Sequence, residues 1–251
     1  MTTLGLPEEL PRSPADAILV VPHAGNGAAM ANPLRAASPG NWIVGGVMFG
    51  GREARFGDEP PSSLRELVTD VVGAAVELAE LAGRPPVLVG QCSGALLAWL
   101  AAASLIQDGR QVPGVVVVSR VAPSVPGDIP DATAPPEVFL TQLRQLGGVP
   151  AEVADMPDLL ELLLPALRAD FACLAQWDPR QAGRVPPLTI PALAIYSETD
   201  VSCPEPEVTA WQKQLPDAAI VATAGGHFLI NEAPAQIAAQ LASWRPLSDP
   251  T

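Results

Sequence analysis

A single lysine, Lys213, occurs in 251 residues, and 14 basic against 27 acidic side chains leave a net charge of −13 at neutral pH. Nucleic-acid binding is thereby excluded as a primary role, because neutralising phosphates takes clustered Lys and Arg. An anionic membrane surface is disfavoured for the same reason. No apolar run approaches the roughly 20 residues that span a bilayer. The segment Met1 to Ser13 is acidic and proline-bearing and lacks the charged and apolar regions of a signal peptide, so a cytoplasmic protein is expected.

Cysteine is scarce as well. Cys92, Cys173 and Cys203 lie far apart, odd in number and without metal-ligand pairing, which argues against a disulfide framework and against a metal site. There are only two histidines, His23 and His227, so any reaction that needs an imidazole base has two candidates. The 29 prolines are dispersed as turn punctuation and form no PxxP tract, and no internal repeat is visible.

What the chain does have is apolar content, 48% of residues spread along its whole length. That is enough for one well-packed domain, expected over 1–251. Short apolar runs at Ala17 to Val21, Trp42 to Phe49, Pro86 to Val89, Gly114 to Ser119, Ala192 to Ser197 and Ala219 to Thr223 predict buried strands of a mostly parallel sheet. Between them, Ser63 to Ala82 has apolar residues at helical spacing behind a Ser cap with Glu66 three residues on. Gly94 to Ile106, apolar nearly all round, predicts a helix pressed against the sheet, and Ala235 to Trp244 a closing helix. Alternating strands and helices imply parallel pairing with right-handed crossovers, hence a three-layer α/β architecture. From about 123 to 185 the alternation stops, leaving helical patterns at Pro136 to Leu146 and Met156 to Gln176, which predict an inserted cap. A cap can exclude water and shape a pocket at the carboxyl ends of the strands, although such helices can also simply cover a sheet edge.

The segment richest in chemistry is Val87-Leu88-Val89-Gly90-Gln91-Cys92-Ser93-Gly94-Ala95, an apolar strand running through Gly-x-Cys-x-Gly into a helix. That context is the nucleophile elbow of the α/β-hydrolase fold, with Cys where Ser usually stands. A helix amino terminus stabilises a thiolate at Cys92 and lets the Ser93 amide face a developing oxyanion. Of the two histidines, His227 in Gly225-Gly226-His227-Phe228 follows the last strand, where this fold carries its base. His23 sits in the glycine-rich turn Pro22 to Gly27, where it supports the turn or, less favoured, acts as the base; the Ala24 amide is the expected second oxyanion donor. No Gly-Lys-Ser/Thr follows that turn, so nothing points to phosphate cradling or a cofactor. For the acid, Ser197-Glu198-Thr199-Asp200 offers two carboxylates, of which Asp200, further into the loop, is preferred to Glu198.

Taken together these residues resemble the discrete type II thioesterases that accompany polyketide and nonribosomal peptide synthetases. Pro22-His23-Ala24-Gly25, Gly51-Arg52-Glu53-Ala54-Arg55, Pro165 to Phe171 and Gly226-His227-Phe228 are each similar to segments of that family, over most of the chain. The resemblance implies an enzyme, expected as a monomer, that removes acyl groups from the phosphopantetheine thiol of an acyl- or peptidyl-carrier protein. It departs from the family elbow Gly-His-Ser-Met-Gly at all three variable places, Gln91, Cys92 and Ser93. A Cys acyl-enzyme remains activated, so transfer to another thiol or an amine stays open beside hydrolysis. A lactone or ester hydrolase and a noncatalytic carrier-binding protein are weaker alternatives. Arg52, Arg55 and Arg168 could meet the carrier protein or its phosphate, or serve as structural ion-pair residues.

Overall fold

The apolar runs fold as a single sheet. The structure, a computed structural model, describes residues 2–11, 16–127, 129–145 and 157–244. Its strands are β1 (Leu4–Gly5), β2 (Asp16–Val21), β3 (Trp42–Val47), β4 (Val87–Gln91), β5 (Val115–Val118), β6 (Ala192–Tyr196) and β7 (Ala218–Ala222). They are ordered β1-β3-β2-β4-β5-β6-β7, and every pairing is parallel except β1 with β3. The six expected strands are all present with their ends moved by one or two residues. The seventh, β1, has only two residues, too few to show a period of two.

Helices on both faces explain why the strands read as continuous apolar runs. Along β2, Ala17, Leu19 and Val21 face one core and Ile18 and Val20 the other; Val115 and Val117 of β5 part from Val116 and Val118 in the same way. The second core takes Leu34 from α1 (Asn32–Ala37), and the first takes Leu67, Val71, Ala74, Ala75 and Leu78 from α2 (Leu64–Ala82) and most of α3 (Ser93–Gln107). At the start of α2 the Ser63 hydroxyl accepts the Glu66 amide at 3.2 Å, while the Glu66 carboxylate turns back to the Ser62 amide at 2.8 Å. That is the expected cap with its return arm displaced by one residue. In the middle of α3, Trp99 is fully buried between Trp177 and Trp211 in edge-on contacts at 5.8 and 6.0 Å. These rings pin the helix beneath the elbow.

Between β5 and β6 the described residues hold two longer helices and no strand. These are Pro136–Gln145 and Pro157–Leu174, here α4 and α5. Leu146 and Met156, expected as helix ends, lie outside the described residues. Phe139 and Leu143 of α4 pack on Leu167 of α5, with Phe171 edge-on to Phe139 at 5.8 Å, so the two helices share a small core of their own. The closing helix runs over Pro234–Ser243 and buries Ile237, Ala238 and Leu241 against the second core. Among the described residues no helix is long and apolar enough to cross a membrane.

Candidate active site

The elbow is built by steric necessity. Cys92 has φ 53° and ψ −123°, a conformation that a residue with a Cβ adopts only under constraint, and strain of this kind costs about 1–3 kcal/mol. A Cβ on Gly90 would lie 2.3 Å from the Gly94 carbonyl oxygen, and one on Gly94 would lie 2.2 Å from the Val21 carbonyl oxygen. Glycine at both positions lets α3 start flush against β2 and β4. The bonds Cys92 N–H to Val118 O (2.8 Å) and Ala95 N–H to Cys92 O (3.0 Å) hold the turn. The thiol therefore stands at the amino end of a 15-residue helix whose dipole favours a thiolate.

His227 and Asp200 converge on that thiol from the loops after β7 and β6. The His227 Nδ1–H donates to Asp200 Oδ2 at 2.8 Å, which leaves Nε2 as the working nitrogen. Ser202 braces the acid: its hydroxyl donates to Asp200 Oδ1 at 2.6 Å and its amide does so at 3.0 Å, with its oxygen 3.1 Å from His227 Nδ1. Asp200 is 8% exposed, whereas Glu198 is exposed on the same turn. Of the two carboxylates, then, Asp200 is the one placed at the histidine.

The electrostatics favour a charge-separated resting pair. Burial pushes the Cys92 thiol up, but His227 beside it, helped by Arg120 and the Ser93 amide, brings it below the ordinary thiol value. Burial likewise disfavours a charged His227, yet the bonds to Asp200, to Cys203 and to Cys92 outweigh it and push its pKa up to about 12. For Asp200 the contacts with His227 and Ser202 overcome burial and hold the carboxyl below its usual value. Both shifts thus favour a proton on the imidazole and negative charge on sulfur.

The first turn differs from expectation in one respect. Ser93 is 3% exposed, and the Ala24 amide, expected to be a free oxyanion donor, instead donates to the Ser93 hydroxyl oxygen at 2.8 Å. Its neighbour Gly25, at φ +80°, donates its amide to Asp170 Oδ2 at 2.7 Å, and Asp170 is clamped by both terminal nitrogens of Arg52 at 2.7 Å. Since Asp170 belongs to α5, one buried ion pair ties that helix to this turn. His23 is not placed as the base. Its Nδ1–H donates to the Ala24 carbonyl at 3.1 Å, its Nε2 accepts from Asn26 at 3.1 Å, and burial pushes its pKa down to about 4, keeping it neutral.

The other arginines are also committed within the fold. Arg55 pairs with Asp58 at 2.8 Å and Asp70 at 3.0 Å, while Arg168 donates to the carbonyls of Ala132 and Ala134 and lies 4.8 Å over the Phe139 ring. Sequence reasoning missed Ser202, Arg120, Asp170 and Gln91, whose carboxamide oxygen accepts the Ile230 amide at 2.7 Å and so ties the loop that carries His227 to β4. Gln91 inside the elbow motif and Asp170 inside the segment Pro165 to Phe171 were the available signals. Asp200, Cys203 and His227 offer ligand atoms within 4.8 Å of one another, the single such group found among the described residues, and two of the three are already joined by their own hydrogen bond.

A family model described as a thioesterase domain matches residues 16–244. The chain belongs to the thioesterase family. As a member it is a hydrolase acting on thioesters. The chain is 26% identical over 223 residues to the probable anguibactin biosynthesis thioesterase AngT of Vibrio anguillarum, covering 86% of each. It is 28% identical over 218 residues to the gramicidin S biosynthesis protein GrsT of Aneurinibacillus migulanus, covering 86% of this chain and 83% of the relative. Among solved structures it resembles the type II thioesterase BorB from the borrelidin biosynthetic cluster, with a TM-score of 0.81 at 26% identity over 95% of each chain. The α/β-hydrolase fold of this thioesterase is thus shared with its relatives.

Proposed function

We propose that this thioesterase acts at the carrier-protein level of a polyketide or nonribosomal peptide pathway, taking acyl groups from a phosphopantetheine thiol onto Cys92 and releasing them to water. The observation that carries this reading is the convergence of Cys92, His227 and Asp200 at the carboxyl end of the sheet, with Nδ1 of His227 held by Asp200 at 2.8 Å. The Cys92 thiolate attacks the thioester carbonyl, forming a C–S bond and moving the π pair onto oxygen. Collapse expels the pantetheine sulfur, which takes the proton from His227 Nε2. With Cys92 acylated, the negative charge that held this proton is gone, so the imidazole reverts towards a base. It can then take a proton from water as the water attacks; the acid leaves and the Cys92 sulfur is freed again.

A second reading is favoured by Cys92 itself. Exchange of one thioester for another is nearly thermoneutral and leaves the acyl group activated for a thiol or amine acceptor. One experiment separates the two: mix the enzyme with an acyl-loaded carrier protein, with and without an unloaded second carrier, and follow all species by intact mass. Free acid with an emptied first carrier supports hydrolysis. Acyl mass arriving on the second carrier, at the expense of free acid, supports transfer instead. Cys92→Ala is expected to abolish both, and turnover in that variant would overturn the reading.

A further inference from the structure

The Ala24 amide is not open to substrate, because it already donates to the Ser93 hydroxyl oxygen at 2.8 Å. No described residue accepts the hydrogen of that hydroxyl in turn, and Ser93 stands directly after the nucleophile. From this we infer that the Ser93 side chain is itself a catalytic oxyanion donor: the Ala24 amide polarises the Ser93 hydroxyl, and the hydroxyl hydrogen meets the oxygen that becomes negative when Cys92 attacks. The inference rests on the acyl-Cys92 reading and adds to it a residue that chemistry there would use.

Three observations support the arrangement. First, the Ser93 backbone amide already helps to hold the Cys92 thiol below its ordinary value, so a second donor at the carbonyl oxygen adds to what that amide can supply. Second, a sulfur nucleophile holds the acyl carbon farther from the helix terminus than an oxygen would. A hydroxyl interposed between the Ala24 amide and the oxyanion extends the hole outward by the same sense. Third, the donor is held before reaction: the turn that presents Ala24 is fixed through Gly25 to Asp170 at 2.7 Å, and Ser93 is 3% exposed. A relay that keeps its Ala24 bond throughout needs no reorganisation as charge develops, which is the condition under which such donors act most strongly. The competing picture, in which Ser93 plugs the hole and must rotate away before each turnover, would strip the Ala24 amide of its partner at every cycle.

The test compares Ser93→Ala, Ser93→Thr and Ser93→Cys with the wild-type enzyme on an acyl-loaded carrier protein, reading single-turnover acylation of Cys92 by mass and steady-state kcat and KM. Near-ultraviolet dichroism and melting temperature report folding. Loss of one oxyanion donor costs about 100- to 1000-fold in kcat in other acyl-transfer enzymes. Because Ser93→Ala frees the Ala24 amide as a partial substitute, a loss of about 10- to 100-fold in acylation rate and kcat is expected here, with KM nearly unchanged. Affinity for a substrate-like aldehyde, which forms a tetrahedral adduct with Cys92, should fall in parallel. Ser93→Thr keeps the hydroxyl and should stay within a few-fold of wild type, whereas Ser93→Cys, a weak donor, should be slow. Acylation by Ser93→Ala at or above the wild-type rate would overturn the relay in favour of the plug, as would a loss confined to KM. If Ser93→Ala does not fold, the Thr and Cys variants decide, and equal rates for those two overturn the proposal. The absence of any adduct on wild-type Cys92 would instead bring down the underlying acyl-enzyme reading, a distinguishable failure.

Discussion

Asp170→Asn tests the way α5 is joined to the first turn. Asp170 and Arg52 have side chains only 4% and 7% exposed, and the carboxylate accepts three hydrogen bonds of 2.7 Å, two from Arg52 and one from the Gly25 amide. Neutralising the acid leaves the guanidinium buried without its counter-charge, a change that typically costs about 3–5 kcal/mol. In a chain of this size one kcal/mol shifts the melting point by about 2–4 °C, so the variant should melt roughly 6–20 °C below wild type in a calorimetric scan. Arg180→Met removes an ion pair whose arginine is 90% exposed and should melt with the wild type. The double variant Arg52→Met/Asp170→Leu replaces the pair by apolar groups and should recover most of the lost stability. It should nevertheless remain impaired in turnover, because Gly25 still lacks its acceptor. If Asp170→Asn melted with the Arg180→Met control, the reasoning about the buried pair would be refuted.

Three further outcomes are expected. Because the Cys92 pKa lies below and the His227 pKa above their ordinary values, His227 supports the thiolate, and iodoacetamide should alkylate Cys92 at pH 6 faster in the wild type than in His227→Ala. In His227→Ala the thiol returns towards the free value near 8.5, where about 1 in 300 is ionised at pH 6. Its alkylation at pH 6 should therefore be slower than that of wild type, by a margin that narrows as pH rises towards the free thiol value. A flat pH profile in both proteins would contradict the ion pair. Asp200→Asn should lower kcat by several orders of magnitude, about 10⁴-fold at most, through loss of the carboxylate that orients and stabilises the charged His227, with Glu198→Gln near wild type; the reverse ranking, read from thioester turnover, would move the acid to Glu198. Gly94→Ala places a Cβ 2.2 Å from the Val21 carbonyl oxygen, and backbone cannot yield there cheaply. That variant should be destabilised in urea titration by more than about 2 kcal/mol, and a neutral result would show that the elbow has room.

The sheet was legible in the sequence because strands buried on both faces leave unbroken apolar runs such as Ile18-Leu19-Val20-Val21 and Val115 to Val118. The antiparallel β1 was not, since two residues carry no periodicity. The placement of Cys92, His227 and Asp200 near one another could be read because each follows a strand end in a fixed order, and chain order is a property of sequence. Side-chain commitments could not. Nothing in the local sequence marks Asp170 as the partner of Arg52, 118 residues away, or Ser202 as the brace on Asp200. The engagement of the Ala24 amide was hidden for the same reason. Its partner is a serine 69 residues distant whose importance appears only once the first turn and the elbow are brought together.

The most direct test of the central claim, that Cys92 carries the acyl group, is rapid-quench intact mass measurement followed by peptide mapping after mixing the enzyme with an acyl-loaded carrier protein. The account predicts a transient adduct of one acyl group on the peptide bearing Cys92, labile to neutral hydroxylamine and absent from Cys92→Ala. Turnover with no adduct on that peptide, or an adduct that survives in Cys92→Ala, would contradict it.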